Sequence, residues 1–181
     1  MAFQQRRRRR PAQEAPAQAD GPDANPMDVA REIALRRLTL RDHSRQELDE
    51  ALAAKEVPED VREALLARFE ELGLVNDQNF AEQWTRARRS SRKLSRAAVR
   101  RELQAKGIDR DLIDETLEPI DHESEVELAT ELAHKKWRSV HSLPREVAYR
   151  RMAGTLARKG YSSSVVTQVL REVVQAEPEE F

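Results

Sequence analysis

Between Arg86 and Lys106 the chain carries Arg86, Arg88, Arg89, Arg92, Lys93, Arg96, Arg100, Arg101 and Lys106, opposed only by Glu102. Guanidinium groups bind phosphates or carboxylates through a planar, bidentate fork, so this block has the chemistry of a polyanion or acidic-groove contact. Arg86, Arg88, Arg89, Arg92, Lys93, Arg96, Arg100 and Arg101 are the candidate binding residues. From Asp109 to Glu127 the sign inverts, with nine acids against Arg110, and Lys135 to Lys159 is basic again. Scattered charge on a helix usually marks a solvated face. Blocks of one sign favour use.

Catalysis finds no foothold. There is no G-x-x-x-x-G-K-[ST] phosphate loop, no G-x-G-x-x-G fingerprint and no H-E-x-x-H pair. The absence of Cys excludes disulfides, thiolate metal sites and cysteine nucleophiles. His43, His122, His134 and His141 are too far apart for a metal-ligand pattern and read as surface or capping residues. No catalytic residue, metal or cofactor is expected. No stretch approaches the 18 or so apolar residues of a membrane helix, and Arg6–Arg10 leads into no apolar signal core. The expected compartment is the cytoplasm.

The elements that carry these charges read as helices throughout. Ala, Leu, Glu, Arg, Lys and Gln dominate, all strong helix formers. Ser44-Arg-Gln-Glu47 and Ser124-Glu-Val-Glu127 have the form of capping boxes, in which Ser and Glu satisfy each other's orphan N–H groups. Asp77, Ser95, Asp109 and Ser162 are further N-cap candidates, and Pro58 and Pro144 suit a first helical turn. Gly73, Gly107 and Gly160 each follow an apolar periodic run, as a C′ residue does. These signals predict an all-α fold of about nine short helices. Phe80 and Trp84 read as core anchors, and Tyr149, Met152 and Leu156 as one apolar stripe.

The helices also repeat. Leu52-Ala-Ala-Lys55-Glu-Val57, Leu103-Gln-Ala-Lys106-Gly-Ile108 and Leu156-Ala-Arg-Lys159-Gly-Tyr161 align, with Leu48, Val99 and Met152 upstream and Leu66, Leu117 and Leu170 downstream. The pattern predicts three tandem three-helix units over 28–77, 78–122 and 123–181, the last with an acidic C-terminal end. No unit has much apolar surface of its own, so neighbours must dock into an elongated, curved body. Residues 1–27, rich in Arg and Pro, are expected to be a disordered tail.

These pieces resemble a known family. Ala34-Leu35-Arg36-Arg37-Leu38 with Arg41, Ser44 and Glu47-Leu48 looks like the opening of RecX regulatory proteins. Leu72-Gly73-Leu74-Val75-Asn76-Asp77-Gln-Asn-Phe80-Ala81 is similar to that family's most distinctive stretch. The Lys-Gly turns at 106–107 and 159–160 complete the likeness over about 28–174, while Glu56 departs from it. The resemblance implies a non-enzymatic modulator of the RecA recombinase. Such a protein binds RecA and the RecA–single-stranded DNA filament and inhibits its extension, ATPase, strand exchange and coprotease activity. It would thereby modulate recombinational repair and the SOS response, with weak direct DNA binding, as a monomer. The alternative is a helical DNA-binding module that acts without RecA. Its weakness is three unlike units where a helix-turn-helix reader has one recognition helix and a dimer.

Overall fold

The computed structural model describes residues 25–175. Those residues form nine helices and no strand: α1 Pro26–Leu38, α2 Arg45–Ala53, α3 Glu59–Glu71, α4 Asp77–Arg92, α5 Arg96–Ala105, α6 Arg110–Leu117, α7 His122–Trp137, α8 Arg145–Arg158 and α9 Ser163–Gln175. The expected tail, 1–27, lies outside the described residues as far as 24, and its last three residues are corrected, because Asn25 caps α1 and Pro26 and Met27 form its first turn; the acidic end, 176–181, also lies outside them.

The helices gather in threes, each around its own core. Ala30, Ala34, Leu48, Leu52, Leu66 and Phe69 fill the first. Phe80, Ala81, Val99, Leu103, Ile113 and Leu117 fill the second. Ala129, Ala133, Met152, Leu156, Val169 and Leu170 fill the third. Alanines one turn apart on α1 and α7 let the other two helices of those units press close, whereas α4 buries Phe80, Ala81 and Thr85. Each fully buried Leu or Ile contributes roughly 1.5–3 kcal/mol, so a few such side chains hold each short triplet together.

Helix ends follow local chemistry. Ser44, whose hydroxyl accepts from the Glu47 N–H, forms a complete capping box on α2. Ser95, Asp109 and Ser162 accept from N–H groups of α5, α6 and α9. Two expected caps are corrected. Asn76, not Asp77, caps α4, because its Oδ1 accepts from Asn79, while Asp77 is the first helical residue. Asp121 caps α7 by accepting from Ser124 N, which places Ser124 inside the helix. Its sequence signature was a competing one, and the Asp three residues earlier wins. Pro58 and Pro144 take the N-cap position itself, with no side-chain acceptor. Tyr149 is exposed and stands outside the stripe of Met152 and Leu156. His43 is buried rather than superficial, its Nδ1 2.9 Å from the Arg41 carbonyl oxygen. Burial pushes its pKa below the usual imidazole value, with the Arg41 charge acting in the same direction.

Candidate functional site

The basic block divides once the side chains are placed. Arg88 Nε donates to Glu102 at 2.6 Å, and its guanidinium lies 3.8 Å from the centre of the Trp84 ring. Trp84 Nε1 donates to the same carboxylate at 2.8 Å, and its ring stacks on Phe80. Lys106 covers Trp84 as well, 5.0 Å from its centre. A guanidinium held by a carboxylate and an aromatic face is a structural element. Arg100 pairs with Asp114, and that hydrogen bond, with Arg110 and Arg96 nearby, holds the Asp114 carboxyl below its usual range. Arg89 reaches Glu125 at 3.4 Å and the Ser124 carbonyl at 3.3 Å, and Lys93 meets Glu131 at 2.5 Å. The Arg96 Nε is buried and has no hydrogen-bond partner among the described residues.

Arg86, Arg92 and Arg101 are different. All three are exposed, and none forms a hydrogen bond or ion pair with another described residue. Arg86 lies two residues from Arg88, about 200° round the helix, beside Asn79, Gln83, Ser90 and the carboxylate-bearing Glu82. Arg92 continues the Trp84–Arg88 row at the end of α4. Arg101 lies on α5, with Nη2 3.1 Å from where a Cβ on Gly160 would be. The eight candidates are therefore not one patch. Four tie helices together through their side chains, three are exposed outside any pair among the described residues, and Arg96 joins its neighbour only through its backbone N–H.

The ties reveal how the units join, which the sequence reading did not anticipate. At both joints the N-terminus of a middle helix is met by the next unit. Arg45 N, the first N–H of α2, donates to Asp77 of α4 at 2.8 Å. Arg96 N, the first of α5, donates to Glu125 of α7 at 2.5 Å. Carboxylates favour this position because they satisfy an orphan donor and the positive helix end. The Lys-Gly turns dock alongside. Ser44 Oγ donates to the Lys106 carbonyl at 2.7 Å, and Ser95 N donates to the Lys159 carbonyl at 3.0 Å.

That docking explains the glycines and the exception among them. A Cβ on Gly107 would lie 1.6 Å from Gln46 Oε1, and one on Gly160 2.6 Å from Ser95 Oγ. Both residues also have positive φ. Glu56 has the same left-handed backbone, at φ 59°, in the turn of the first unit. Its place in the repeat is the one through which the later turns meet a preceding unit, and no such unit precedes it among the described residues.

Lys106 adds an ion pair with Glu47, which also accepts from Arg41 Nη1 at 2.9 Å. Burial opposes ionisation of Glu47, but the hydrogen bonds and charges of Arg41 and Lys106 prevail and hold its pKa at about 2. Asp77 shifts the other way, raised by burial and the nearby Glu70 despite the Arg45 N–H. The recurrent Lys in each turn was the sequence signal that could have found the joint.

Comparison with known proteins matches the units in order. Residues 30–69 match the first three-helix domain of RecX, 76–117 the second and 123–170 the third. The chain belongs to the RecX family. It is 42% identical over 164 residues to the regulatory protein RecX of Streptomyces coelicolor, covering 91% of this chain and 87% of that one. The regulatory protein RecX of Thermobifida fusca is 38% identical, over 87% of this chain and 89% of its own length. Among solved structures, RecX from Lactobacillus salivarius superposes with a TM-score of 0.72 at 21% identity, over 83% of this chain and 97% of that chain, a likeness of fold. A further regulatory protein RecX structure gives 0.73 at 26% identity, over 82% and 75%. The RecX assignment thus holds on sequence and fold together, and no described helix is long and apolar enough to cross a membrane.

Proposed function

We propose that this RecX-family chain binds the RecA protein and the RecA–single-stranded DNA filament. Binding inhibits filament extension, ATP hydrolysis, strand exchange and coprotease activity, and so modulates recombinational repair and the SOS response. It acts as a cytoplasmic monomer, by binding alone, without a cofactor. The observation that carries this reading is the succession of three RecX domains in family order along the chain. Two features of the geometry support it. A row of small docked units offers a surface suited to a repetitive partner. Arg86, Arg92 and Arg101 leave positive charge outside any ion pair among the described residues of the middle unit, where phosphates or carboxylates of a nucleoprotein could meet it.

The alternative, a DNA-binding module independent of RecA, uses the same three arginines. Binding measured against RecA, single-stranded DNA and their complex, with RecA ATPase followed in parallel, separates the two. The proposal expects tightest binding to the complex and falling ATPase as the chain is added. Equal affinity for naked DNA and the complex, with unchanged ATPase, would refute it.

A further inference from the structure

The two joints are built from the same parts but not to the same strength. We infer that the chain flexes at the joint between its first and second units, while the second and third move as one body.

Across the first joint run three polar ties. Ser44 Oγ donates to the Lys106 carbonyl, Arg45 N donates to Asp77, and Lys106 pairs with Glu47. Across the second joint run six. Ser95 N donates to the Lys159 carbonyl, Arg96 N to Glu125, and Arg89 to both Glu125 and the Ser124 carbonyl. Lys93 pairs with Glu131, and the buried Tyr161 hydroxyl donates to the Lys93 carbonyl at 3.0 Å. Arg89 and Glu125 are 15% and 16% exposed, about as shielded as Lys106 and Glu47 across the first joint, so it is the number of ties that differs.

Both turns are closely seated, so the difference lies in the polar ties. Gly107 rests against Gln46, whose Cβ, fixed to the α2 backbone, would lie 2.5 Å from an added carbon. Gly160 rests against Ser95 Oγ, Ala98 Cβ and Arg101 Nη2. Tyr161 reinforces the difference by reaching across its joint, whereas Ile108, its counterpart, has no polar atom with which to do so.

The consequence is a division of the molecule. The unpaired arginines of α4 and α5 travel with the third unit. The first unit, which exposes Leu35, Leu40, Leu72 and Leu74, is an arm whose angle to them can change. Such an arm can follow a partner surface whose spacing varies, without disturbing the cations.

The chain has no Cys, so label pairs can be introduced cleanly. Nitroxides at Glu63→Cys with Gln104→Cys span the first joint, and at Gln104→Cys with Glu127→Cys the second. Gln83→Cys with Gln104→Cys, inside the second unit, gives the width due to the labels. Pulsed dipolar spectroscopy on the full chain should give a distance distribution across the first joint about twice as broad as across the second. The second should be as narrow as the internal pair. Adding Asp77→Asn and Glu47→Gln should broaden the first further and leave the second unchanged. Equal widths, a broader second joint, or no response to the double substitution would overturn the inference.

Discussion

Replacing Glu47 with Gln tests whether an ion-pair hub really stabilises the first unit and its joint. The substitution keeps the shape and the reach back to the Ser44 N–H, since Gln also serves in a capping box. It removes the charge that faces Arg41 and Lys106. The folded carboxyl sits at about 2 against an ordinary 4.5. A displacement of that size stores at most about 3 kcal/mol. Glu47 itself is 14% exposed, but Arg41 is half-exposed, so solvent screening brings the expected loss nearer to about 2 kcal/mol. The sign follows from linkage. A depressed carboxylate stabilises above its unfolded value and loses that contribution as pH falls toward the folded one. The difference between the two proteins should therefore be full at neutral pH and less than half as large near pH 3. Urea titrations of wild type and Glu47→Gln at several pH values measure it, with the transition of the first unit the one affected. An unchanged midpoint at pH 7 would refute the hub. So would a loss as large at pH 3 as at pH 7, because that loss would then come from packing rather than charge.

Other perturbations read other links. Gly107→Ala and Gly160→Ala should each lower stability by more than the roughly 1 kcal/mol typical of Ala at positive φ, since Gln46 Cβ and Ala98 Cβ, which move only with their backbones, stand 2.5 and 2.8 Å from the added carbon; urea midpoints measure both. Glu56→Gly should raise stability by up to about 1 kcal/mol by relieving the left-handed backbone. Replacing Arg86, Arg92 and Arg101 together by Ala should leave helicity intact and weaken filament binding. If the three meet single-stranded phosphates, the slope of log affinity against log salt should fall by about 2 in magnitude. Replacing Arg88, Arg89 and Arg100 instead should lower the thermal midpoint, because it removes ties to Glu102, Glu125 and Asp114.

How much was legible depends on the range of the physics involved. Nine helices, their approximate ends and the left-handed Gly73, Gly107 and Gly160 follow from periodicity, capping and backbone sterics, all of which act within a few residues. The cap of α7 went astray because Asp121 and Ser124 both carried a valid signal and only one can be used. His43 went astray for another reason. Its burial depends on what packs over it, which local spacing does not report.

The candidate site shows the same boundary more sharply. Composition alone established that residues 86–106 are cationic, because charge is a property of residue type. It could not tell which cations remain free. Glu102, Asp114 and Glu125 lie up to 36 residues from the arginines they hold, and Glu131 lies 38 residues from Lys93. Such pairs exist only when folding closes the loops between them. The block of acids from Asp109 to Glu127, which reads as a separate surface, supplies Asp114 and Glu125 to the basic block. The repeated Lys-Gly turns, legible as punctuation, became joints only when each met the N-terminus of the previous unit's middle helix. Short-range forces wrote the helices and their order into the sequence. Pairing of charges across units is long-range, and only the packed structure could decide that Arg86, Arg92 and Arg101 are the ones left facing water.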